Sequence, residues 1–114
     1  MIYKWSLFMA DLNPVIGSEQ QGRRPVLVIS DETTNTIMPV VTILPLTSLK
    51  KGRRIYPNET LLKKEVAGLD SDSIVLAHQI RTISKQRLMS TLGGISDPNL
   101  QAEINDALRV HLNL

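Results

Sequence analysis

The sequence predicts a mainly β fold that ends in one helix: a small, strongly bent sheet or partly open barrel. Three observations predict it. Short apolar runs, each too brief for a helix, recur between clusters of glycine, proline, asparagine and aspartate along most of the 114 residues. Only the last segment repeats its apolar residues at helical spacing, and no internal repeat or low-complexity stretch interrupts the pattern.

The elements follow in order. Residues 3–11 are mostly apolar and aromatic, and Asn13-Pro14 shortly afterwards marks a turn, so a first strand ends there. Gly17 to Gly22 is a loop. Val26-Leu27-Val28-Ile29 is a β-branched-rich run of the kind buried on both faces of a sheet, with Arg24 and Pro25 at its entrance. A polar connection from Asp31 to Asn35 leads to a second long strand over residues 39–48, where Pro45 implies an edge or a bulge. Residues 49–57 are basic and end in Pro57, and Asn58 to Leu62 forms a short strand. Gly68 to Asp72 is a turn, and Ser73 to Ala77 another strand. From His78 to Ile83 polar and apolar residues alternate, so a polar strip emerges beyond the buried strand. Residues 84–88 form a short helical turn, and Thr91 to Ile95 a last strand weakened by Gly93-Gly94. In the final helix Ser96-Asp97-Pro98 supplies the cap and an early proline, and Leu100, Ile104, Ala107, Leu108 and His111 share one face. That stripe must be covered by the sheet or by a second copy of the chain.

Composition sets bounds on function. A 42% hydrophobic and 21% charged chain of this length is ordinary globular protein, expected to form one domain over residues 1–114. No apolar stretch approaches the roughly 20 residues of a spanning helix, and the N-terminus has no secretory pattern, so the expected compartment is the cytoplasm. Without cysteine there is no disulfide framework, thiolate nucleophile or zinc–cysteine site, and the two histidines lack metal-ligand spacing. The net charge of +2 is small, but Lys50, Lys51, Arg53 and Arg54 cluster, whereas Glu103 and Asp106 lie near the C-terminus. One side of the molecule is therefore expected to be positive and to suit a polyanion.

The run Gly17-Ser18-Glu19-Gln20-Gln21-Gly22-Arg23-Arg24-Pro25 brings arginines to a loop that re-enters a strand. A guanidinium fork matches a phosphate in geometry and charge, and loops on a rigid sheet are where functional groups collect. This run belongs to the first of four segments that occur in order: LFMADLNPVIGSEQQGRRPVLVIS, PLTS at 45–48, DSIVLAHQIRTISKQRL at 72–88 and EINDALRVHLNL at the end. Together they resemble the MazF/PemK family of toxin endoribonucleases, the toxic halves of bacterial toxin-antitoxin pairs. The resemblance implies a compact SH3-like β-barrel shared with the CcdB toxins, usually as a homodimer. It also implies metal-independent cleavage of single-stranded RNA without a cofactor, and inhibition by a cognate acidic antitoxin.

The family match assigns catalysis to Arg24, before the proline, and to Thr47 in PLTS. Both suit metal-free RNA cleavage, in which the 2′-hydroxyl attacks the neighbouring phosphorus and donors must stabilise charge growing on the phosphoryl oxygens. A guanidinium stays protonated near neutral pH, so electrostatic stabilisation is the expected role of Arg24. His78 is the candidate for proton transfer, because imidazole is suited to exchange near neutral pH. RNA binding is expected of Gln79 and Arg81, two residues apart on the polar strip, of Glu19, Gln20 and Arg23 in the loop, of Ser48 beside Thr47, and of Lys50, Lys51 and Arg53. The structural alternatives are that Arg24 caps a strand or pairs with Glu19, that Thr47 is an ordinary strand-end hydroxyl, that His78 is structural or solvated, that Gln79 and Arg81 bond along a sheet edge, and that the lysines solvate a loop.

Two departures stand out. Family members commonly carry Arg-Gly-Asp or Arg-Gly-Glu before the first strand, where this chain has Lys4-Trp5-Ser6. In one branch an aspartate stands at the position of His78 and a histidine at that of Ser18. Two other functions fit the fold class. A gyrase-trapping toxin like CcdB would carry a Trp-Gly-Ile C-terminus, whereas this chain ends His111-Leu112-Asn113-Leu114. An RNA-binding module without turnover would give no cyclic-phosphate product.

Overall fold

The computed structural model describes residues 1–114. Seven antiparallel strands form one sheet: β1 (Ser6–Asp11), β2 (Arg23–Val28), β3 (Val40–Ser48), β4 (Glu59–Leu62), β5 (Ser73–Leu76), β6 (Arg81–Ser84) and β7 (Leu88–Gly94). The order across the sheet is β4-β5-β3-β2-β1-β7, with β6 also paired to β3. The helices are α1 (Glu32–Ile37), α2 (Lys64–Ala67) and α3 (Pro98–Leu112), and two 3₁₀ turns cover Ala77–Gln79 and Lys85–Arg87.

The uninterrupted apolar runs predict strands covered on both sides, and the packing agrees. Leu7, Leu27, Leu44 and Leu46 point into one apolar cluster with Ile104 and Ala107 of α3. Their neighbours Phe8, Val26, Val28 and Ile43 point into a second cluster with Val41 and Ile83. The α3 stripe is thereby covered by the sheet side of the same chain: Ile104 and Ala107 are buried, while His111 remains exposed at the far end. The helix starts as predicted, with Asp97 Oδ1 accepting the Asn99 N–H at 2.9 Å and Pro98 in the first turn.

β3 changes partner along its length. Residues 40–43 pair with β6 and 46–48 with β5 on one side, while 43–45 pair with β2 on the other. Pro45 falls where pairing passes from β6 to β5, so the irregularity it announces is a change of partner inside a central strand, not a sheet edge. The end strands β4 and β7 do not pair, so the sheet is open where the word barrel implies closure. Instead α2, which follows β4, packs on β7. A Cβ on Gly93 would lie 2.6 Å from the Ala67 carbonyl oxygen, so this glycine permits the close approach.

Several local expectations change. The connection at 31–35 begins α1, capped by Asp31 Oδ2 accepting the Thr34 N–H at 3.1 Å. Its single buried residue, Asn35, leaves no apolar periodicity to read. β2 begins at Arg23, three residues before the apolar run, so Arg24 and Pro25 are its second and third residues. The polar strip starts with a 3₁₀ turn that carries His78 and Gln79, and only Arg81 onward is strand. The last strand begins earlier than Thr91, at Leu88.

Candidate active site

β2 and β3 lie side by side, so the arginines at the start of β2 face the hydroxyls at the end of β3. Arg23, Arg24, Thr47, Ser48 and Lys50 line one cavity of about 510 Å³, over apolar walls from Met9, Pro25, Leu46 and Leu92. The turn at 68–72 and the start of β5 close its other side with Asp70, Ser71 and Ser73. Five of the residues expected to act on RNA thus meet, though they come from two separate stretches of chain, 23–24 and 47–50.

Arg24 is held by two backbone acceptors. Its Nε donates to the Gln21 carbonyl at 2.9 Å and its Nη1 to the Leu46 carbonyl at 3.2 Å. Nη2 makes no hydrogen bond within the protein, so donors remain for an anion while the guanidinium plane is fixed. Glu19 is not its partner: Oε1 of Glu19 accepts the Ile16 N–H at 2.8 Å and closes the loop on itself. Thr47 is half-buried, and the Ser48 and Ser71 hydroxyls stand 3.5 Å apart across the cavity.

The remaining expected residues divide. Glu19, Gln20, His78, Gln79 and Arg81 line a second hollow of about 250 Å³ with Leu12, Pro45 and Ile80. Gln79 Oε1 accepts the Gln20 N–H at 3.3 Å, and Arg81 Nη1 donates to the Leu12 carbonyl at 2.9 Å. Both therefore brace the 12–22 loop in place of the sheet-edge bonds considered from sequence. Lys51 is exposed in a turn and lines neither hollow.

His78 and Arg53 belong to another group, organised by Glu59 at the start of β4. The Glu59 carboxylate is buried, with 2% of its side chain exposed. Arg53 approaches it as a two-toothed fork, Nη1 to Oε1 at 3.0 Å and Nη2 to Oε2 at 2.9 Å. The Tyr56 N–H donates to Oε1 at 3.0 Å, and His78 Nε2 lies 2.7 Å from Oε2. Hydrogen bonds from the Arg53 guanidinium hold the Glu59 carboxyl down to a pKa of about 2, against the opposing effect of burial. The same pair raises the Arg53 guanidinium further. The structure thus does not bring His78 into the cavity of Arg24 and Thr47, and it gives Arg53 an internal partner. Sequence reasoning missed Glu59, whose only signal is a lone acid in an apolar run, and Asp70 and Ser71, which read as turn residues.

The chain matches the model of the PemK-like, MazF-like toxins of type II toxin-antitoxin systems over residues 3–112. It belongs to this family. It is 38% identical over 114 residues to Endoribonuclease MazF of Staphylococcus saprophyticus, a match that covers 100% of this chain and 93% of that protein. The crystal structure of MazF from Deinococcus radiodurans superposes with a TM-score of 0.80 at 30% identity, covering 97% of this chain and 96% of that one. A mycobacterial endoribonuclease in complex with its cognate antitoxin gives a TM-score of 0.78 at 26% identity, over 97% and 94% of the two chains. The MazF-like fold is therefore that of the mainly β sheet with its C-terminal helix described above.

Proposed function

We propose that this MazF-family chain is a toxin endoribonuclease that cuts single-stranded RNA in the cytoplasm without a metal ion, the whole of residues 1–114 acting as one toxin domain. The observation that carries the reading is the cavity in which a backbone-held Arg24 with free donors meets the Thr47 hydroxyl beneath exposed Arg23 and Lys50. RNA supplies the nucleophile itself: the 2′-hydroxyl gives its proton to water and attacks the adjacent phosphorus, the bond to the 5′ oxygen breaks, and water returns a proton to that oxygen. The products are a 2′,3′-cyclic phosphate and a 5′-hydroxyl. Arg24 and Thr47 donate to the phosphoryl oxygens as their charge grows, and a guanidinium already fixed by Gln21 and Leu46 needs little reorganisation to do so. Because His78 is bound to Glu59 and lines the neighbouring hollow, the arrangement favours a part for it in holding RNA over one in proton transfer.

The expected partners are a cognate acidic antitoxin and a second copy of the chain. An acidic segment suits the face carrying Arg23, Lys50 and Lys51, where it would exclude RNA by overlap and charge.

The test is to incubate wild type and Arg24→Ala with a long RNA in EDTA and to sequence the cut ends. Wild type should leave cyclic-phosphate and 5′-hydroxyl ends, and Arg24→Ala should be slower by about a hundredfold to a thousandfold. Equal cutting by both proteins, or cutting that requires added metal, would refute the reading.

A further inference from the structure

Glu59 gathers donors from two stretches of chain, the 49–58 connection and the 77–79 turn, and both reach the cavities. The first is the basic turn. The Arg53 N–H donates to the Lys50 carbonyl at 3.0 Å, so the turn is closed at one end by that bond and held to the sheet through the Arg53 side chain on Glu59. Lys50, at the other end of the turn, lines the cavity of Arg24 and Thr47. The second is the 3₁₀ turn of Ala77–Gln79. Glu59 is in register with Leu76 of β5, which sets the carboxylate beside the turn that follows.

The carboxylate also constrains the imidazole. An ionised carboxylate accepts only, so the nitrogen facing it at 2.7 Å must carry the proton. In the neutral ring Nδ1 is then a bare acceptor, and no protein group hydrogen-bonds it. The ring is 29% exposed and sits edge-on against His111 at 6.4 Å, and His78 lines both the hollow shared by Gln20, Gln79 and Arg81 and one beside Tyr56, Asn58 and Val110. An acceptor there is matched by an RNA group that donates, such as the exocyclic amino group of a nucleobase, which single-stranded RNA can turn outward.

We propose that Glu59 is a positioning residue for RNA: through Arg53 it sets the turn that carries Lys50, and through His78 Nε2 it presents Nδ1 as an acceptor for a nucleobase amino group. This rests on the ribonuclease reading above. A purely structural ion pair would leave substrate preference untouched, and that difference is measurable.

The experiment compares full-length wild type, Glu59→Gln and His78→Ala by steady-state cleavage and by sequencing cut ends from a long RNA, with a thermal melt of each. Glu59→Gln should raise KM on the order of tenfold with kcat changed less than about twofold. Both variants should lose preference at the same base position of the cut site. His78 is half-buried and outside both core clusters, so His78→Ala keeps the test decisive if Glu59→Gln does not fold. Long-range proton–nitrogen NMR of the wild type at pH 8 should show the Nε2–H tautomer for one of the only two histidines in the chain. An Nδ1–H tautomer, an unchanged base preference in His78→Ala, or a folded Glu59→Gln with unchanged KM would overturn the proposal while leaving the ribonuclease reading intact. A wild type that cuts no RNA would overturn both.

Discussion

Glu59 also links stability to pH, and the direction follows from its surroundings. Its folded-state pKa is about 2 against an ordinary 4.5, so the unfolded chain takes up the proton more readily than the folded one. The stabilisation is fully present above about pH 4.5 and is lost as pH falls from there through about 2. A shift of that size corresponds to at most about 3 kcal/mol. Urea unfolding of wild type should therefore lose midpoint steeply between pH 5 and 2.5. Glu59→Gln, less stable at pH 7, should lose less over the same range, and parallel curves for the two proteins would count against this role of the carboxylate. Trp5 shows a different residue-scale compromise. It sits at φ 66, where the family commonly has glycine, and a non-glycine residue there costs about 1–2 kcal/mol. The ring packs on the main core cluster, and the backbone bonds to Val28 and Ile95 fix the turn, which offsets that cost. Arg24 and Thr47 were singled out in the sequence through the family motifs, and they line one cavity because β2 and β3 are neighbours. Glu59 was not, because its partners 53 and 78 meet only through the fold.

At the scale of elements, what could be read was what has a period or a cap. The central strands were legible as continuous apolar runs, and α3 by its stripe and Asp97-Pro98. α1, α2 and the 3₁₀ turn at Ala77–Gln79 were not, since three to six residues with one buried side chain make no pattern, whereas the helical turn expected at 84–88 is the 3₁₀ turn Lys85–Arg87. The glycine pair of β7 illustrates the same limit. Read from sequence it weakens a strand, whereas in the fold it admits α2 and the Trp5 turn. Gly93→Ala places a methyl 2.6 Å from the Ala67 carbonyl oxygen with backbone on both sides, so something must move. We expect a loss of about 1–3 kcal/mol in denaturant unfolding. Gly94→Ala meets the Trp5 carbonyl at 3.2 Å and should cost less. If Gly93→Ala unfolded like wild type, α2 would not be the element that closes the open side of the sheet.

For the whole molecule, charge distribution matters more than its sum. The net charge of +2 would draw a polyanion only weakly, yet Arg23, Lys50, Lys51 and Arg54 are exposed on β2 and the basic turn, while Glu103 and Asp106 are exposed on α3. Arg53 is withdrawn from this set by Glu59, so the turn offers fewer free cations than its sequence suggests. RNA affinity should accordingly fall with salt. Each phosphate contact on a single strand contributes a slope of about −0.7 in log affinity against log salt. Lys50→Ala with Lys51→Ala should therefore make the slope shallower by up to about 1.4, whereas Arg53→Gln should change it by much less, since its charge is already paired. Fluorescence anisotropy with a short single-stranded RNA between about 50 and 500 mM salt, one decade, separates the two. An Arg53→Gln slope change of about 0.7, the full value of one phosphate contact, would mean that RNA draws Arg53 away from Glu59, and the carboxylate would then act as a competitor for the cation.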